Sequence, residues 1–434
     1  MYMEKSKIID EIIKLSNLYF AEENSNKSFV PFVSHIPVSG KVLDEYDLEN
    51  LIKSSLDMWL TAGDFTNLFE KNLRKKTEIR HALFVNSGSS ANLLAVTALK
   101  EFYNLNDGDE VITSAVNFPT TLNPIIQNNL TPVLVDAEMG TYNINPDLIE
   151  EKINAKTKGI VLAHTLGNPF NLKKIVDICK KHNLFLMEDM CDAFGSKYSN
   201  KLVGTFGDIA TLSFYPAHHI TTGEGGAVLT NNTKLKKIIE SLRDWGRDCY
   251  CPPGEDNTCK KRFDWQLGEL PHGYDHKYIY SHVGYNLKAS DMQASIGVSQ
   301  IQKLDNFIKI RKHNFNYLFE RFKNFKEFDL PTWENESEPS WFGFPLTINN
   351  NAKFSRIELL RFYTEKNIGT RLIFSGNILK QPAYINKKIK SDNSLPNADC
   401  IMENSFWLGV YPGLNKEMLD FICDQTKEFI DLHS

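Results

Sequence analysis

Three cysteines, Cys249, Cys251 and Cys259, fall within eleven residues, and a fourth, Cys191, lies upstream with 57 residues between it and Cys249. The pattern is C-x57-C-x-C-x7-C. Thiolate sulfur is a soft, strongly donating ligand, so four such groups suit a 2Fe–2S centre. A tetrahedral zinc site is one alternative, although the C-x2-C knuckles of zinc ribbons are missing. Unrelated buried thiols are another. The chain has seven cysteines in 434 residues. That number is odd and sparse, which argues against a disulfide scaffold. The remaining three, Cys179, Cys400 and Cys423, have apolar neighbours and read as ordinary buried residues.

Three further segments bear chemistry. In Asn86-Ser-Gly-Ser-Ser-Ala-Asn92 a strand pattern ends, a glycine permits a tight turn and a helix begins. Free N–H groups and the positive dipole end of a helix suit a phosphate; an ordinary Ser-capped helix accounts for the same residues. The G-K-[ST] ending of a P-loop is absent. In Met187-Glu-Asp-Met-Cys-Asp192 a carboxylate stands at the end of an apolar strand. There it can pair with a protonated ring nitrogen or simply cap the next segment. The third segment is Ser213-Phe-Tyr-Pro-Ala-His218-His219-Ile-Thr-Thr-Gly-Glu-Gly-Gly226. It sets two histidines, which move protons near neutral pH, before a glycine-rich stretch.

The elements around these segments alternate in period. Short apolar runs at 81–85, 110–113, 132–135, 159–163, 184–188, 209–214 and 227–230 alternate with helical patterns such as 91–102 and 172–182. This βα alternation predicts a mostly parallel sheet covered on both faces, with ligands held beyond the carboxyl ends of the strands. An amphipathic pattern (Ile8, Ile12, Leu15, Tyr19) occupies an N-terminal arm over 1–40. A large α/β domain is expected over 41–310, with an irregular Cys-rich insertion at about 245–290, and a smaller α+β domain over 311–434. The composition is 42% hydrophobic and 24% charged, with a formal charge of −5, which is that of a globular protein. No Lys/Arg block marks a nucleic-acid partner, and no apolar run reaches the roughly 18 residues of a membrane span. The opening stretch contains acidic residues and no leader-type apolar core, so a cytoplasmic setting is expected.

Taken in order, the three segments resemble the sugar aminotransferase/dehydratase branch (DegT/DnrJ/EryC1 type) of the fold-type I pyridoxal-phosphate enzymes, over roughly residues 40–430. The resemblance implies an aspartate-aminotransferase-like large domain and a homodimer with shared sites. It assigns Asp189 to the cofactor's ring nitrogen and Phe118, in Ala115-Val-Asn-Phe118, to stacking on the ring. Gly88, Ser89 and Ser213 match phosphate contacts. Asn286, in Gly284-Tyr-Asn286, matches a residue reaching the phosphate in the partner subunit. Asp192 stands where relatives often carry Gln or His near the cofactor's 3-hydroxyl. One position departs from the aminotransferase pattern: five residues after Ser213 the usual Lys is His218.

A lysine amine anchors the cofactor covalently. Imidazole cannot, yet it can take and return a proton. The departure therefore implies pyridoxamine 5′-phosphate, the amine form of pyridoxal phosphate, bound without a covalent link. His218 is then the base, and dehydration at C3 of a nucleotide-linked 4-keto-sugar replaces amino transfer. The four-cysteine pattern resembles the 2Fe–2S motif of the family's reductive branch. That branch acts on CDP-4-keto-6-deoxyglucose on the way to 3,6-dideoxyhexoses, with electrons from a separate NADH-dependent flavin/iron–sulfur reductase. The absence of a G-x-G-x-x-G fingerprint in this chain goes with an external electron source. Three rival readings remain: a cluster-free dehydratase of GDP-4-keto-6-deoxymannose, an ordinary aminotransferase, and a regulatory or sugar-binding protein that has lost its lysine.

Overall fold

Seven strands rich in β-branched and apolar residues form the main sheet of the protein, a computed structural model that describes residues 4–24 and 28–433. They are β1 (His81–Val85), β2 (Glu110–Ser114), β3 (Thr131–Val135), β4 (Thr157–Ala163), β5 (Phe185–Asp189), β6 (Ile209–Ser213) and β7 (Gly226–Thr230). Their order across the sheet is β1-β7-β6-β5-β4-β2-β3. Neighbours from β6 to β3 run parallel, and β7 is antiparallel to both β6 and β1. Five of the seven strands are buried along their whole length, as parallel strands sandwiched between helices must be.

Helices cover both faces. The N-terminal α1 (Lys5–Asn24) packs on α2 (Glu45–Asp57), and α3 (Asp64–Thr77) follows. Then come α4 (Gly88–Phe102), α5 (Pro119–Gln127), α6 (Leu172–His182) and α7 (Thr233–Arg243). The 32-residue α8 (Asp291–Phe322) opens with a Ser290/Gln293 capping box and packs against α2 and α3. The sequence pattern foretells α1, α4 and α6 but not α2 or α3. Their mixed, charged sequences (EYDLENLIKSSLD and DFTNLFEKNLRKKT) carry too narrow an apolar stripe. Tertiary packing and the Asp44/Asp47 capping box decide them.

After α7 the stretch 244–290, all of it described, holds one short turn at His276–Tyr278 and isolated bridges Asp244↔Asn286 and Arg247↔Tyr280. Beyond α8 a four-stranded antiparallel sheet forms from β8 (Phe328–Asp329), β9 (Gly343–Ile348), β10 (Thr370–Arg371) and β11 (Ser405–Gly409), in the order β8-β9-β11-β10. It has its own apolar core around Phe344, Phe406 and Leu346. Helices α9 (Arg356–Glu365), α10 (Pro396–Asn404) and α11 (Lys416–Leu432) complete it. No helix among the described residues is long and apolar enough to cross a membrane.

One aromatic contact ties the helical cover to the polar loop after β6. Phe69 of α3 has no exposed surface. Its ring lies 5.2 Å from Phe84 and 5.1 Å from Phe214. A Cβ at Gly297 of α8 would fall 2.7 Å from it, so α8 needs a glycine there to approach. Phe69→Ala is expected to cost about 3–5 kcal/mol through lost burial and a cavity, measured as a lowered chemical-denaturation midpoint.

Candidate functional site

The polar ends of β1, β5 and β6 converge beyond the sheet. Ser87 caps α4, its Oγ accepting from Ser90 N at 3.0 Å. Gly88 opens the helix so close to Ser213 that a Cβ would fall 2.4 Å from the serine Cβ; only hydrogen fits between the phosphate-loop candidate and the end of β6. Ser89 is exposed in the same turn. The α4 N-terminus and the Ser213 hydroxyl thus face one small region.

Asp189 ends β5 and is buried. Its Oδ2 accepts from Asn92 Nδ2 and from Thr121 Oγ1, both at 2.7 Å, and its Oδ1 from Cys191 N at 3.1 Å. Thr211 Oγ1 donates to Asn92 Oδ1 at 2.6 Å and fixes the amide's orientation. Phe118 lies one turn before Thr121, at the start of α5, and is 48% exposed. It touches Phe374 edge-on and leaves much of its ring free for a flat ligand.

His218 sits in a turn closed by its N–H to Tyr215 O at 3.0 Å. Its Nδ1 lies 3.3 Å from Asp192 Oδ1, within ion-pair reach but not aligned as a hydrogen bond. Its ring leans on Phe342 at 5.3 Å. His219 points elsewhere: it is 2% exposed, and its Nε2 donates to Ser340 O at 2.9 Å. Burial first, and then the Arg311 charge, push its pKa well below the ordinary histidine value. The two neighbours therefore divide, one facing a carboxylate and the other locked in the interior.

Contacts thus join Gly88 to Ser213, Asp189 to Asn92 and Thr121, and Asp192 to His218. Asn286 is exposed, and its backbone bridges to Asp244. Leu287, next in sequence, accepts from Asn86 N at 2.9 Å. Sequence reasoning missed Thr121, Thr211 and Arg311. A threonine in an apolar strand carries no distinctive signal, and an arginine amid KIRKHN reads as solvated. The signal for Asn92 was its place at the end of the Asn86–Asn92 motif.

The cysteines divide as well. Cys249, Cys251 and Cys259 line one small pocket together with Arg262, His276 and Lys277. Thr258 Oγ1 donates to Cys251 Sγ at 3.1 Å. Burial opposes the Cys251 thiolate, but the Thr258 hydroxyl, Cys249 and the backbone at 258–259 together bring its thiol down to about 7. Burial pushes Cys249 up. Cys191 lies beside Asp189, and burial, then that carboxylate's charge, raise its thiol well above the usual value. Among the described residues no group of three or more His, Cys, Asp or Glu is drawn close enough to hold a metal ion. The cradle at Gly88, the exposed Phe118 ring and the anchored Asp189 fit a flat, phosphate-bearing cofactor. The sulfur donors fit a cluster only in part, since three share a pocket that Cys191 does not line.

Comparison with known proteins identifies the family: the DegT/DnrJ/EryC1/StrS aminotransferase family matches residues 42–427. The chain belongs to it. Within reach of this aminotransferase family lies the lipopolysaccharide biosynthesis protein RfbH of Salmonella typhimurium, 51% identical over 99% of this chain and 100% of its own. The dTDP-4-dehydro-2,6-dideoxy-D-glucose 3-dehydratase of Saccharopolyspora spinosa is 49% identical over 97% of this chain and 92% of its own. Among solved structures, E. coli GDP-4-keto-6-deoxy-D-mannose-3-dehydratase with bound hydrated PLP superposes with a TM-score of 0.81 at 28% identity, covering 90% of this chain and 99% of that one. The expected fold-type I α/β architecture is therefore the observed one.

The buried histidine makes stability pH-dependent. A histidine with a depressed folded-state pKa binds fewer protons folded than unfolded below the unfolded value of about 6.5. The stability held by neutral His219 is full above that pH and drains as pH falls below it. His219→Gln keeps a donor for Ser340 but cannot titrate. It is expected to show a smaller fall in melting temperature than the wild type between pH 7.5 and 5.5, followed by calorimetry.

Proposed function

We propose that the protein is a pyridoxamine-phosphate-dependent dehydratase that removes the C3 hydroxyl of a nucleotide-linked 4-keto-6-deoxysugar, in the supply of deoxysugars for surface polysaccharide in the cytoplasm. The observation that carries this reading is the placement of His218. An imidazole, not a lysine amine, stands beside Asp192 after the strand that ends in Ser213. Relatives named as 3-dehydratases of nucleotide 4-keto-sugars support it.

The bound cofactor would supply a primary amine to condense with the sugar's C4 ketone and an electron-accepting ring. Asp189 would hold the proton on the ring nitrogen, and its three donors keep the carboxylate aimed there. Ser89, Ser213 and the N–H groups that Gly88 leaves open would hold the phosphate. Phe118 would stack on the ring. His218 would take the proton from the cofactor carbon C4′, and Asp192 would steady the imidazole and the positive charge it acquires. Asn286 would serve the partner's site in a homodimer.

The finer reading is that the substrate is CDP-4-keto-6-deoxyglucose and that Cys191, Cys249, Cys251 and Cys259 hold a 2Fe–2S cluster fed by an NADH-dependent flavin/iron–sulfur reductase. The C-x57-C-x-C-x7-C spacing and the pocket shared by three of the thiols support it. Among the described residues no group of three or more His, Cys, Asp or Glu is close enough to hold a metal ion, which favours a second reading, a cluster-free 3-dehydratase, and no step is assigned to the cluster. Iron and acid-labile sulfide analysis of anaerobically purified protein separates the two. About two irons per chain are expected for a binuclear centre, and metal-free protein that completes its turnover with no electron donor present would establish the second reading. His218→Asn is expected to retain pyridoxamine phosphate by absorbance while losing about 10²–10⁴-fold in turnover. Full turnover in that variant would remove His218 from the chemistry.

A further inference from the structure

We infer that Arg311 is the positioning residue for His218, an inference that rests on the reading of His218 as the base. Arg311 lies in the middle of α8 and has no exposed surface. A guanidinium is costly to bury unless it is paired or fully bonded, and Arg311 makes no ion pair among the described residues. Its Nη groups reach backbone oxygens instead, while Nε has no partner among the described residues: Nη1 donates to Phe342 O at 3.2 Å and Trp341 O at 3.4 Å, and Nη2 to His218 O at 3.3 Å. One planar fork therefore ties the turn carrying His218 to the strip just before β9.

That strip is bound to the histidine pair in two other ways. The Phe342 ring lies 5.3 Å from the His218 imidazole, and Ser340 O accepts from His219 Nε2 at 2.9 Å. On its far side His218 meets Asp192 at 3.3 Å. The imidazole is thus set between a ring and a carboxylate, with its backbone pinned from behind by Arg311. Burial pulls the guanidinium down to about 10, and the charge of Asp192, the carboxylate that faces His218, acts the other way. Lysine cannot reproduce three carbonyl bonds from one planar group. The fork fixes where the base stands, and a misplacement of about 1 Å costs about a hundredfold in rate.

The test compares wild type, Arg311→Lys and Arg311→Met. It uses two readouts: steady-state kinetics with a nucleotide 4-keto-6-deoxysugar and pyridoxamine phosphate, and NMR of histidine-labelled purified protein assigned through His218→Asn. Arg311→Met is expected to lower kcat about a hundredfold, with KM changed less than about threefold, and Arg311→Lys to recover part of kcat. Where the Met variant fails to fold, the Lys variant decides alone, with kcat down about tenfold. In each folded variant the His218 ring signals shift or broaden while those of His164, buried elsewhere against Glu188, stay in place. Unchanged His218 signals, unchanged kcat, or equal losses in kcat, KM and cofactor retention overturn the inference. A wild type inert toward every such sugar, with His218 signals that still respond to Arg311, overturns the dehydratase reading and upholds the clamp.

Discussion

The carboxylate of Asp189 is the point on which the site's architecture turns. A buried carboxylate must be surrounded by donors, and here they come from three separate places: the first turns of α4, the start of α5, and the backbone just past β5. β6 joins through Thr211, which orients the Asn92 amide. These are the elements that carry Gly88, the exposed Phe118 ring and the strand leading to His218. Satisfying one charge therefore sets the relative placement of everything that would touch a cofactor.

The same economy appears at the histidine pair. Adjacent residues of identical chemistry are given opposite surroundings by a single turn. His218 faces a carboxylate and an aromatic ring, and His219 faces a carbonyl in the interior. Spacing from Ser213 singled out His218 in the sequence, and the structure gives the two rings different surroundings: His219 is buried with Nε2 on Ser340 O, whereas His218 lies 3.3 Å from Asp192.

Much of the main sheet was legible because its strands are short, apolar and punctuated by polar ends, which is how parallel strands buried on both faces must read. The helices α2 and α3 were not, since their charged sequences acquire meaning only against α8. Within the candidate site, Gly88, Asp189, Ser213 and His218 stand in compact motifs visible in the sequence, and the structure brings Gly88 against Ser213 and Asp192 against His218. Thr121, Thr211 and Arg311 were not legible, because each works through a contact spanning 68 to 119 residues of chain that no local pattern records. The cysteines were legible as a spacing, whereas their separation into a pocket of three and a thiol beside Asp189 is a matter of tertiary placement.

The contact between Gly88 and Ser213 also limits what each position can hold. A side chain at Gly88 would need the space that Ser213 occupies, so the effects of changes at the two positions are not expected to add. A larger residue at Gly88 is compatible with this backbone only if the end of β6 moves or Ser213 is made smaller. Two positions 125 residues apart by their numbers thus share one volume, which couples the opening of α4 to the end of β6.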